Sequence, residues 1–127
     1  MTFEVSDLFV GPYRRLYDER VKKIERFVEK LSKFYNVSPP TVVLRKGPSM
    51  SYLPLRKTIV VGEESISLRL LLHEFRHHMQ WEKELFPFKV LIGWPTDEPI
   101  QRDAAEWAGK EFGRWVDEWT KMGFGPW

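Results

Sequence analysis

Residues 73–77 read His-Glu-Phe-Arg-His, and the three histidines of the chain, His73, His77 and His78, fall within six positions. On a helix, side chains four apart stand on one face, one turn from each other. His73 and His77 can then aim two imidazole nitrogens at a common point. That makes two of the three protein ligands of a catalytic zinc. Glu74 projects to the same side. Zinc lowers the pKa of a water it holds, and a nearby carboxylate can take that proton and hand it to a leaving amine. The H-E-x-x-H spacing therefore predicts metal-assisted hydrolysis, with zinc as cofactor and Glu74 as general base. His78 lies about 100° around the helix from His77, poorly placed for the same ion, and reads as an exposed or capping residue. Arg76 and Gln80 read as surface residues or supports of the ligands.

A helix must carry this motif. The stretch "EESISLRLLLHEFRHHMQWEKELF" supplies it, capped by Ser65 or Ser67 and running to about Leu85. Glu63 and Glu64 suit the positive end of its dipole, and "RLLL" would bury it in the core. Upstream, residues 13–36 place Leu16, Val21, Ile24, Phe27, Val28, Leu31, Phe34 and Tyr35 at helical spacing. Pro39 and Pro40 end that helix. "TVVLRK" (41–46) and "KTIVVG" (57–62) predict strands, while "MSYLPL" is extended but barred from a central position by Pro54. After a proline-flanked loop, Thr96 or Asp97 caps a last helix through "IQRDAAEWAGKEFGRWVDEWTKM", with Pro99 in its first turn. Helix, strands, helix, helix in one domain of residues 1–127 predicts an α+β fold.

Composition narrows the function classes. The chain has 127 residues and a net charge of +2, with acids interleaved among the bases. That pattern gives solvated helix faces and argues against nucleic-acid binding. Without cysteine there is no disulfide and no thiolate metal site. No basic-then-apolar leader opens the chain and no apolar run approaches membrane-spanning length, which together predict a cytoplasmic protein without membrane contact. Asn36 is the lone asparagine and Gln80 and Gln101 are the two glutamines, amid many charges. Such amide depletion suggests a thermophile.

"KTIVVG", "LLLHEFRHHMQ" and "IQRDAAEWA", taken in this order, resemble the zinc metallopeptidases of the gluzincin group, and most closely the small archaeal minigluzincins. The resemblance implies a small zincin-like domain. It would hold an N-terminal helix, a short mixed sheet with an edge strand, an active-site helix and a C-terminal glutamate-type helix. It implies that His73 and His77 bind zinc and that Glu74 is the base. It also makes Thr58, Ile59, Val60 and Val61 the edge that pairs with an extended peptide or protein substrate. Minigluzincins are latent, part of their own chain filling the cleft. By analogy the tail "KMGFGPW", and Trp127 above all, would block this site.

The family's third ligand is a glutamate followed by alanine three residues on and again four later. Ala104 and Ala108 match, and the ligand position falls on Gln101, a neutral and weaker oxygen donor. Ala104, Ala108, Phe112, Trp115 and Trp119 define the inward face of the last helix, and Gln101 shares it. Glu98 lies near its edge and is the alternative ligand. Asp103 and Glu106 point to the far side and come last. Tyr52 and Arg102 are conceivable oxyanion donors, with packing and surface charge as their simpler roles. Two function classes follow. One is a zinc endopeptidase, latent or weakly active. The other is a non-catalytic peptide- or protein-binding relative with an impaired metal site, which Gln101 favours and Glu74 opposes.

Overall fold

The computed structural model describes residues 19–83 and 98–125. The expected helix start at residue 13, the caps Thr96 and Asp97, and the tail residue Trp127 lie outside the described residues. Within them the fold is α+β: three helices and a small mixed sheet. Among the described residues no helix is long and apolar enough to cross a membrane.

Helix α1 spans Glu19–Tyr35 and buries Val21, Ile24, Phe27, Val28 and Leu31 of the stripe that the spacing predicts, while Phe34 stays exposed, Tyr35 is half-buried and Leu16 lies outside the described residues. It stops in a Schellman arrangement. The Val37 amide donates to the Ser32 carbonyl at 3.0 Å and the Asn36 amide to the Lys33 carbonyl at 3.3 Å. Asn36 sits at φ 58°, a left-handed conformation that asparagine tolerates better than most residues.

Strands β1 (Thr41–Arg45), β2 (Ser51–Leu53) and β3 (Thr58–Gly62) form a sheet in the order β1-β3-β2. β1 runs parallel to β3, from Thr41 opposite Thr58 to Arg45 opposite Gly62. β2 runs antiparallel to β3, from Ser51 opposite Val60 to Leu53 opposite Thr58. This corrects the edge assignment of Thr58, Ile59, Val60 and Val61. They form the central strand, with β1 along one side and β2 beside Thr58, Ile59 and Val60 on the other, so no substrate strand can add along 58–60. Ile59, Val60 and Val61 are consecutive and all buried. A strand covered on both faces gives such an unbroken apolar run, whereas an edge strand needs no such cover. Among the described residues β2 lies at an edge, and Pro54 ends it by opening one 3-10 turn, Pro54–Arg56. That agrees with the bar on a central position. At the end of β3 a Cβ on Gly62 would meet the Ser49 carbonyl oxygen at 2.4 Å. Only glycine lets the 46–50 turn close over the strand there.

Helix α2 spans Leu68–Glu82 and helix α3 spans Glu98–Lys121. Ser67, not Ser65, is the N-cap of α2, its hydroxyl accepting from the Leu70 amide at 3.3 Å. Leu68, Leu71, Leu72, Phe75 and Met79 join the core with the α1 stripe, Val42, Leu44, Ile59 and Val61. α3 closes the other side. Phe27 of α1 meets Trp115 and Trp119 edge-on, with centroids 5.9 and 5.2 Å apart. Trp115 Nε1 donates to Tyr35 Oη at 2.8 Å, so the indole is satisfied inside the aromatic layer.

His78 corrects a second expectation: it is fully buried, not exposed. Its Nε2 lies 2.6 Å from the Ser38 carbonyl, which can only accept, so Nε2 carries the proton. Nδ1 is then an acceptor, and Tyr52 Oη donates to it at 2.7 Å. The pair ties α2 to β2 and to the chain entering β1. Burial holds the His78 pKa below 6.5, which keeps the ring neutral. Removing the hydroxyl with Tyr52→Phe orphans a buried acceptor and should cost about 1–3 kcal/mol in a denaturant titration. The pH dependence has a definite sign. A histidine with a depressed folded pKa stabilises above 6.5, and that stability drains as pH falls towards the folded value. His77, lowered mainly by burial, adds the same sign. Burial raises the folded pKa of Glu74 to about 8, which contributes the opposite sign in this range. In a Glu74→Gln protein, with that carboxyl removed, the melting temperature should therefore drop between about pH 7.5 and about pH 5.5. A flat profile contradicts the neutral buried state of these rings.

Candidate metal centre

α2 and α3 pack along each other, and the candidate centre lies between them. His73, Glu74 and His77 come from one face of α2, and Gln101 comes from the first turns of α3. The His73 and His77 rings stand nearly perpendicular, with centroids 4.8 Å apart. His73 Nε2 lies 2.9 Å from Gln101 Oε1. The Gln101 side chain also hydrogen-bonds His77. The three positions predicted as ligands therefore converge. His77 is buried and its pKa is lowered, first by burial, so a neutral imidazole is ready to donate a lone pair.

Glu74 is buried beside the pair, and burial pushes its carboxyl up to about 8. Such a group is poorly solvated, and a cation between the imidazoles would favour its ionised form. Two imidazoles and a nearby carboxylate fit a divalent cation. The amide at 101 fits less well, being a neutral oxygen where zinc sites usually have a third nitrogen or a charged ligand. Among the described residues no third histidine, cysteine or carboxylate joins His73 and His77.

The alternative ligands are elsewhere. Glu98 is 67% exposed and pairs with Arg102 at 2.7 Å, one turn on. Both are surface charges, so Glu98 is corrected as a ligand and Arg102 as an oxyanion donor. Tyr52 spends its hydroxyl on His78. Glu106 is exposed, as its helical angle predicts. Asp103 is not solvated on the far side. Arg76 Nε donates to Asp103 Oδ2 at 2.7 Å, and Gln80 Nε2 donates to the same oxygen at 2.9 Å. Burial pushes the Asp103 carboxyl up, but these two hydrogen bonds outweigh it and hold the pKa low.

Of the two roles the sequence allowed Gln80, surface residue or support of the ligands, the structure gives it the second. It is fully buried, and its Oε1 lies 2.7 Å from His77 Nδ1. Its spacing, three residues after His77, was the available signal.

Comparison of the chain with family models, with characterised proteins and with solved structures finds no match. The geometry alone therefore makes the next expectation. Gln101→Glu should tighten zinc binding on the order of tenfold or more, since ligand charge sets cation affinity. Competition with a chromophoric chelator measures this. An unchanged affinity places Gln101 outside the coordination sphere.

Proposed function

We propose that this chain is a zinc-dependent peptide hydrolase of the H-E-x-x-H type, with a zincin-like fold of the gluzincin kind. The observation that carries this reading is the approach of His73, His77 and Gln101 to one another beside the buried Glu74. When bound, zinc supplies the Lewis acidity that makes water a nucleophile near neutral pH. His73 and His77 offer imidazole nitrogens to hold it, and Gln101 offers an amide oxygen. Glu74 takes a proton from the attacking water and passes it to the leaving amine. Peptide or protein substrates bind in extended form. β3 is enclosed, so the strand-adding edge in this reading is β2, Ser51–Leu53, which packs close to α2.

One observation favours a second reading. Gln101 is uncharged and hydrogen-bonds both imidazoles without any cation. A peptide- or protein-binding relative that has lost hydrolysis would have this arrangement. Elemental analysis of the purified protein, with and without Glu74→Gln, separates the two. The hydrolase holds stoichiometric zinc, and Glu74→Gln keeps the metal while lowering peptide cleavage by roughly 10²–10⁴-fold. A binding module carries little zinc and is indifferent to Glu74→Gln. Zinc absent from both proteins ends the hydrolase reading.

A further inference from the structure

Gln80 is fully buried in the α2–α3 interface, and each of its polar atoms has a fixed partner. Its Nε2 donates to the Ile100 carbonyl at 3.0 Å and to Asp103 Oδ2 at 2.9 Å. Both partners accept only, so the nitrogen end of the amide cannot be exchanged with the oxygen end. Arg76 locks Asp103 in turn, with Nε to Oδ2 at 2.7 Å and Nη2 to Oδ1 at 3.3 Å. The Arg76 guanidinium lies 5.4 Å from the centroid of the Trp107 ring, which restrains it further. Gln80 Oε1 therefore faces His77 Nδ1 at 2.7 Å. An amide oxygen cannot donate, so Nδ1 must carry the proton and Nε2 must keep its lone pair. Gln101 Oε1 lies 2.9 Å from His73 Nε2 and accepts from it.

We propose that Gln80, oriented by Ile100 and Asp103, is a positioning residue that holds His77 as the Nδ1–H tautomer and turns its Nε2 lone pair into the space shared with His73 and Gln101. Neutral imidazole in water favours the opposite tautomer only slightly, so one buried acceptor decides the matter. The consequence for metal binding rests on the hydrolase reading; the tautomer itself does not. Residues supporting a metal-bound imidazole in this way typically contribute 10–100-fold to affinity, roughly what Gln80 is expected to contribute here.

The test is long-range ¹H–¹⁵N correlation of the imidazoles in the full, metal-free chain at a pH where the histidines are neutral. The wild-type His77 should show the Nδ1–H pattern. Gln80→Met, similar in length and without a hydrogen-bonding amide, should shift it towards Nε2–H and weaken zinc binding by roughly 10–100-fold. Wild-type His77 in the Nε2–H form overturns the proposal. So does a folded Gln80→Met protein that keeps both the wild-type tautomer and the wild-type zinc affinity. If Gln80→Met does not fold, the wild-type spectrum decides by itself. A wild-type protein that shows the Nδ1–H tautomer and binds no zinc supports the positioning role and overturns the hydrolase reading.

Discussion

A polar group taken out of water must find a partner, and the α2–α3 interface is organised around that demand. Unpaired, a buried amide, imidazole or carboxyl costs several times what its hydrogen bond contributes. Here the groups satisfy one another in sequence: Arg76 to Asp103, Asp103 and the Ile100 carbonyl to Gln80, Gln80 to His77, and Gln101 to both imidazoles. Break any link and the next group is orphaned. The interface therefore has one register, and that register sets where the two motif histidines point.

The apolar elements hold this layer in place. α1 and α3 meet through Phe27, Tyr35, Trp115 and Trp119, whose ring contacts fix α3 along its length. α2 is held from below by the sheet and by Leu68, Leu71, Leu72 and Phe75. The second buried histidine, His78, points to the sheet side of α2 while His77 points to α3. Adjacent residues on one helix thus serve two different interfaces, separated by the angle between them. Tyr52 and the Ser38 carbonyl make His78 part of the scaffold, leaving His73 and His77 as the pair available for chemistry.

Glu74 shows how the same burial serves reactivity. Its carboxyl is pushed up to about 8, so its ionised form is uncomfortable in the metal-free chain. A cation beside it relieves that discomfort, which couples the state of the base to occupancy of the site. Gln101 supplies no charge to this balance. In the metal-free chain its amide oxygen accepts from His73 Nε2. The residue at this position thus weighs the two functional readings against each other more directly than any other in the chain.

The sequence by itself determined the helix that carries His73, Glu74 and His77, because residues four apart share a face whatever surrounds them. It also determined the α1 stripe, the strands and the chain's order of elements, because apolar periodicity and proline act locally. Gln101 was legible through its alignment with Ala104 and Ala108. What only tertiary structure decided were the partners. β3 became central because β2 folded back onto it, a pairing that residues 57–62 do not encode alone. Asp103 looked solvated because one apolar stripe on α3 was taken as its only buried face. In fact the first turns, Ile100, Asp103 and Trp107, meet α2, while Trp115 and Trp119 meet α1. A helix wedged between two neighbours buries a wider arc than its hydrophobic stripe, and polar residues such as Asp103, Gln80 and His78 fill the remainder wherever a partner awaits them.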